Sequence, residues 1–312
     1  MNNPNIKTNK LVFLAFFALS FYCLGNTMMV HYYNYPTFDK ILENIEPAMQ
    51  LFNSRLIILN YIPKFLLFLT SIALLKYSST DLSRRAIWFS IIVIGISVLA
   101  LFCFIIPIHS SLPETGFTTA IQKQLIDLSL LTQVLTLAVQ SLLAIYLLDF
   151  NLKEQQLFGR WLFIITAALI FYLAGGDYAD KFINYYIWEI VGQQDWVAYR
   201  NVETPFVLFY VLPAFLPIIF LFLMIWKRPK SIPRISVFIC LLIELFVLFV
   251  TGSYFVPKIQ APLSQIYSVD LIHELIKNDF LLRGIPLVIL IITTIYMFLR
   301  VEENTIFVKK KE

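Results

Sequence analysis

The residues of this chain whose types could do chemistry are few: three histidines, one isolated glutamate, one lysine and two aromatic clusters. Imidazole is the commonest metal ligand and exchanges protons near neutrality. A haem or metal held between His31 and His109 is therefore one reading. Ordinary interfacial histidines are the other, because no third ligand is spaced near them and His273 stands far along the chain. Glu244 interrupts a long apolar run, where a charge costs about 2.5–3.5 kcal/mol if the run crosses a membrane. It is a proton carrier or ligand anchor, or else a neutral, hydrogen-bonded structural acid. Lys64 either pairs with Glu244 or, as the simpler reading, extends its ammonium to the membrane surface. His31, Tyr32, Tyr33, Asn34 and Tyr35 form one aromatic group; Asp177, Tyr178, Asp180, Tyr185, Tyr186, Trp188 and Glu189 form the other. Such groups make the walls of a pocket for a flat lipophilic molecule or, more simply, an aromatic belt at the lipid boundary. The candidate ligand-binding set is His31, Tyr33, Asn34, Tyr35, Lys64, His109, Asp177, Asn184, Tyr185 and Glu244.

The elements that position these residues follow from composition. Hydrophobic residues make up 59% of the 312 and charged residues only 14%, with mean hydropathy +0.76. A soluble fold would expose far too much apolar surface on these terms. Eight apolar segments, near 11–31, 56–76, 86–108, 129–149, 160–176, 205–226, 235–256 and 281–300, approach the roughly 20 residues that cross a bilayer as a helix. Continuous apolar runs fit helices and not barrel strands. The segment at 160–176 is the shortest. The connections at about 32–55, 109–128, 177–204 and 257–280 read as long loops carrying short amphipathic helices, such as Phe38-Ile41-Leu42-Ile45 and Leu271-Ile272-Leu275-Ile276.

Lys76, Arg84, Arg85, Lys153, Arg160, Lys227, Arg228, Lys230, Arg234 and the tail Lys309, Lys310 and Lys311 all fall on one side of such a layout. By the positive-inside rule that side, with both termini, is cytoplasmic. The expected location is a bacterial inner membrane. The net charge of +4 reflects this bias, so no nucleic-acid partner is implied. Cys23, Cys103 and Cys240 lack metal spacing and read as buried apolar packing.

Residues 161–176 repeat residues 11–26. Phe13, Ala18, Leu19, Phe21, Tyr22 and Gly25 recur as Phe163, Ala168, Leu169, Phe171, Tyr172 and Gly175, and Pro63 and Pro107 recur as Pro213 and Pro257, all 150 positions on. A period this long marks a duplicated domain. The fold class is an all-α integral membrane protein: eight transmembrane helices as a tandem duplication of a four-helix bundle, 1–152 and 153–312, with parallel topology. The second repeat carries the basic tail.

The His31 to Pro36 stretch and Ile106-Pro107-Ile108, followed by Leu112, give each half a likeness to a known family. It resembles the anthrone-oxygenase-like family of small four-helix membrane proteins. That family's third-helix motif is similar to Pro-Ile-Asn, where this chain has His109 in place of the Asn, and the second half keeps only Val256-Pro257. The resemblance implies an oxygenase or oxidoreductase acting on a quinone or polyketide-like substrate, a reading that His31, His109 and Tyr33 also support. No Walker motif, Rossmann fingerprint, paired aspartates or Ser-His-Asp spacing is present. Three functions stay open. The leading one is a binding or accessory subunit whose outer loops engage a membrane or periplasmic protein, or a lipophilic small molecule. The others are the enzyme just described and a transporter using Glu244 as proton or ligand site. No cofactor is specified.

Overall fold

The computed structural model describes residues 4–76, 81–152 and 156–302. The described residues are helical throughout their regular structure, without a strand. Eight helices are long and apolar enough to cross a membrane: Lys10–Phe38, Ile45–Leu75, Ser83–Leu112, Thr119–Asn151, Leu157–Arg200, Val207–Lys227, Arg234–Leu263 and Val269–Val301. They are called the first to eighth spans. Phe89, Ile92, Ile96, Leu99 and Phe102 of the third span lie more than half exposed, as a lipid-facing helix side should. Lys153 and the basic tail lie outside the described residues, and so does the expected boundary after residue 152. What flanks that boundary is clipped: Arg160 Nε meets Asp149 Oδ1 at 2.8 Å.

The expected long loops are mostly helix. The fifth span, expected to be the shortest, is the longest at 44 residues, because helical structure continues through 177–200. Its one interruption is Gly192, whose φ of 80° needs a residue without Cβ. The stretch around Leu42, expected as an amphipathic helix, is a connection, since regular helix stops at Phe38 and resumes at Ile45. The Leu271–Ile276 stretch is helical but continuous with the eighth span, which Ser268 caps by accepting from the Leu271 N–H at 3.3 Å.

Each span contains a π-helical turn: 30–34, 57–61, 101–105, 130–134, 180–184, 207–211, 251–260 and 280–284. Six have a cause in the sequence. Pro36, Pro63, Pro107, Pro213 and Pro286 each stand four residues after the middle of a turn, and Pro257 lies within the longer 251–260 stretch, four residues after Ser253. A proline ring clashes with the carbonyl four residues back and offers it no N–H, so a wider turn at that carbonyl relieves the helix. In the fourth span the Thr136 hydroxyl instead donates to the Thr132 carbonyl at 2.7 Å. The fifth has Tyr186 there and neither device.

The first and fifth spans form the central pair. The first packs against the second and fourth, the fifth against the sixth and eighth, and the third and seventh close the two rings. The central crossing is made by glycine. A Cβ on Gly25 would overlap the Tyr172 carbonyl oxygen, and a Cβ on Gly175 would overlap that of Tyr22. Asn26 donates to the Gly175 carbonyl at 3.3 Å, and further along Asn34 donates to Asn184 Oδ1 at 2.5 Å. Small residues with a few interhelical hydrogen bonds are how helices associate where lipid removes the hydrophobic drive. Cys23 and Cys240 are buried as expected, but Cys103 faces outward.

Candidate functional site

A cavity of about 640 Å³ opens among the fifth, sixth, seventh and eighth spans. One end is polar. Asp177 and Asp180 reach it from the fifth span, three residues before and at the start of the π-turn at 180–184. Lys181 Nζ lies 2.6 Å from Asp177 Oδ2 and 3.0 Å from Asp279 Oδ2. Arg283 pairs with Asp279, donates to the Tyr185 hydroxyl at 2.9 Å and lies 4.2 Å from the Phe255 ring centre. Tyr210 donates to Asp177 Oδ1 at 3.1 Å, and Asn184 donates to Asp180 Oδ1 at 2.8 Å. The turn at Gly192 lets the chain bring Arg200 over Trp188, 4.3 Å from its ring centre, with Gln260 accepting from the guanidinium at 3.0 Å. Interlocking pairs of this kind satisfy each other, and removing one member strands its partner.

The rest of the cavity is apolar: Ile170, Leu173, Ile218, Ile243, Val247 and Leu290 among others. Glu244 stands in that wall, 9% exposed, without a hydrogen-bond or ion-pair partner among the described residues. It therefore faces the interior of the helix assembly and not lipid.

Of the sequence candidates, Tyr33, Asp177, Tyr185 and Glu244 line this cavity. The others do not. Asn34 and Asn184 are spent on each other, and Asn184 also holds Asp180. His109 has both ring nitrogens engaged, Nε2 with the Tyr35 hydroxyl at 3.2 Å and Nδ1 with the Tyr61 hydroxyl at 3.0 Å. His31 is buried against Tyr32, with Nδ1 unpartnered among the described residues. No group of three His, Cys, Asp or Glu suited to a metal occurs among the described residues.

Two expectations need correction. Lys64 neither reaches the membrane surface nor pairs with Glu244: it is 2% exposed, with Nζ 2.7 Å from Gln133 Oε1. The second aromatic group is no surface belt, since its Tyr185 and Trp188 are buried, together with Trp196 and Tyr199 further along the helix, where Trp196 donates to the Leu263 carbonyl at 2.7 Å. Sequence reasoning passed over Arg200, Tyr210 and Arg283.

Counting from the π-turns exposes a contrast between the halves. Thr27, Asn60, Lys64, Ser97 and Gln133 occupy the places, relative to their turns, that Asp177, Tyr210, Ala214, Val247 and Arg283 occupy in theirs. In the first half these side chains bond among themselves: Asn60 donates to Thr27 at 3.3 Å, and Ser97 donates to Gln133 Oε1 at 2.9 Å beside the Lys64 ammonium. In the second half Ala214 and Val247 supply no such filling, and both line the cavity. Compared with known proteins, the chain matches no protein-family model, no curated protein and no solved structure.

Proposed function

We propose that the protein is a binding or accessory membrane protein that holds a lipophilic, polar-headed molecule in the cavity of its second half. The observation that carries this is the cavity itself. Its volume falls within the roughly 300–1,000 Å³ of ligand sites, and apolar walls with a few convergent polar groups are their usual lining. On the same reading the chain is a tandem duplication of a four-helix bundle with parallel halves. Support comes from π-turns recurring 150 residues apart in all four span pairs, from the reciprocal Gly25 and Gly175 contacts, and from the Asn34–Asn184 bond. The end bearing Arg84, Arg85, Arg160, Lys227, Arg228 and Arg234 is the cytoplasmic one, by positive-inside bias.

A second reading, a transporter, draws support from Glu244 in the cavity and from helices broken in every span. Parallel-repeat transporters, however, place their sites where the repeats meet. Here that meeting is closed by glycine crossings, and the cavity lies among the spans of the second half, which Tyr33 of the first span alone reaches from the other half. The enzyme reading would use His31, His109 and Tyr33, of which Tyr33 alone reaches the cavity.

Native mass spectrometry on protein extracted in mild detergent tests the proposal. A retained small molecule, lost from Ala214→Phe while fold and yield persist, is the expected result. Wild-type protein that carries no molecule and acquires none from added lipid extract would sink it. Cysteine accessibility at Gly116 and Glu203 against Lys230 tests the orientation, with Lys230 expected on the cytoplasmic side.

A further inference from the structure

We infer that the cavity is a site for a lipophilic cation, drawn sideways from the bilayer and held by Glu244 in exchange for a proton. The inference rests on the reading of the cavity as a ligand site and adds the chemistry of the ligand.

Charge balance carries the first step. At the polar end three carboxylates, Asp177, Asp180 and Asp279, stand with three cations, Lys181, Arg200 and Arg283. That end is balanced without help. Glu244 is the fourth acid and has no fourth cation. Its partnerless carboxyl is nine-tenths buried and borders the empty volume. In a medium of low dielectric such a group is neutralised either by a proton or by a positive charge brought to it. The two compete for one carboxylate. A bound cation therefore releases a proton, and the balance is one for one: the carboxylic acid loses its proton as the ligand's charge arrives.

Geometry carries the second step. Phe215 of the sixth span and Leu248 and Val256 of the seventh line the cavity and are also exposed, 43%, 38% and 50%. A Cβ on Gly252, between Leu248 and Val256, would meet nothing within 4 Å. The wall between these two spans is thus incomplete on the lipid-facing side. A molecule entering there meets apolar side chains with Glu244 among them, which suits a delocalised or alkylated cation better than a hydrated metal ion. The ionisable groups that share the cavity's lining with Glu244 are Tyr33 of the first span, Asp177, Asp180, Tyr185 and Arg200 of the fifth, Tyr210 of the sixth and Arg283 of the eighth, with Cys240 one turn away on its own helix. Asp177 is held by Lys181 and Tyr210, and Arg283 by Asp279. Glu244 is the member left to exchange.

The test uses the full chain in nanodiscs and radiolabelled tetraphenylphosphonium, with uncharged tetraphenylmethane as competitor. Wild-type protein should bind the cation and ignore the competitor. Affinity should fall as pH drops from about 8 to about 5.5, by up to about tenfold per unit where the proton competes. Proton release in weak buffer should approach one per ligand. Glu244→Gln should lose affinity by about tenfold or more, a change of about 1.4 kcal/mol per decade, together with the pH dependence. Glu244→Asp should retain both in part, and melting curves establish that each variant is folded. Equal binding by folded Glu244→Gln, effective competition by tetraphenylmethane, or no cation binding by wild type overturns the inference. If a neutral lipid still co-purifies and is lost from Ala214→Phe, the cavity remains a ligand site and only the cationic assignment falls.

Discussion

Replacing Gly25 or Gly175 by alanine separates the close-crossing account from a merely adjacent pair of helices. The added methyl would sit on the carbonyl oxygen of Tyr172 or Tyr22, whereas ordinary contact begins near 3.4 Å. The obstacle is backbone, which cannot rotate away, so the first and fifth spans must part by roughly 1–2 Å. Overpacking that neighbours absorb costs about 1–3 kcal/mol. A gap of only 0.5–1 Å already forfeits about a quarter to a half of each contact along the seam. Each variant should therefore lose about 3 kcal/mol. The double variant should lose less than the sum, because one parting accommodates both methyls at a shared crossing. Gly95→Ala is the control: its methyl would meet the Phe68 ring at 3.6 Å, ordinary contact, and helix propensity favours alanine by about 1 kcal/mol. Thermal and denaturant unfolding in one detergent would measure all four proteins. If Gly25→Ala and Gly175→Ala fall within about 0.5 kcal/mol of Gly95→Ala, the crossing is not backbone to backbone and the packing argument is wrong.

Asn34→Leu should cost about 1–3 kcal/mol by stranding Asn184. Adding Asn184→Leu should recover part of it, and a double-mutant cycle without coupling would deny the bond. Lys181→Met should cost about 3–5 kcal/mol, since Asp177 and Asp279 lose their shared cation; unchanged unfolding would show that the network contributes nothing. His109→Phe should cost about 1–3 kcal/mol through the unpaired Tyr35 and Tyr61 hydroxyls. It should leave ligand retention intact, and loss of a bound chromophore with this change would restore the histidine reading.

The eight spans were legible because lipid imposes a length and a composition on any helix that crosses it. The four connections expected as long loops, at about 32–55, 109–128, 177–204 and 257–280, are mostly helix for a related reason. Once past the apolar run, Tyr185 to Arg200 looks polar and surface-like, yet Tyr185, Trp188, Trp196 and Tyr199 bury against one another, Asp195 is buried and Arg200 lines the cavity. That error also hid Arg200. The π-turns were half visible: Pro63 and Pro213 hinted at breaks, and six prolines four residues downstream of a strained carbonyl account for six of them. The cavity was written in the same 150-residue offset used to align the halves. Lys64 falls opposite Ala214, a large side chain exchanged for a small one. Seeing a void in that pair required knowing that both members stand in the helix interior, which linear spacing does not say.

If the cavity binds as proposed, Lys64 sets the stoichiometry. Two matched frames would ordinarily present two vacancies and titrate twice. Here one frame carries its own internal occupant: a tethered ammonium on a four-carbon stem, seated on Gln133 where the other frame leaves room beside Ala214. On the proposed binding function the chain should therefore saturate at one equivalent. A binding isotherm from the intact protein should be hyperbolic, without cooperativity between halves, for the plain reason that the second seat was filled when the chain folded.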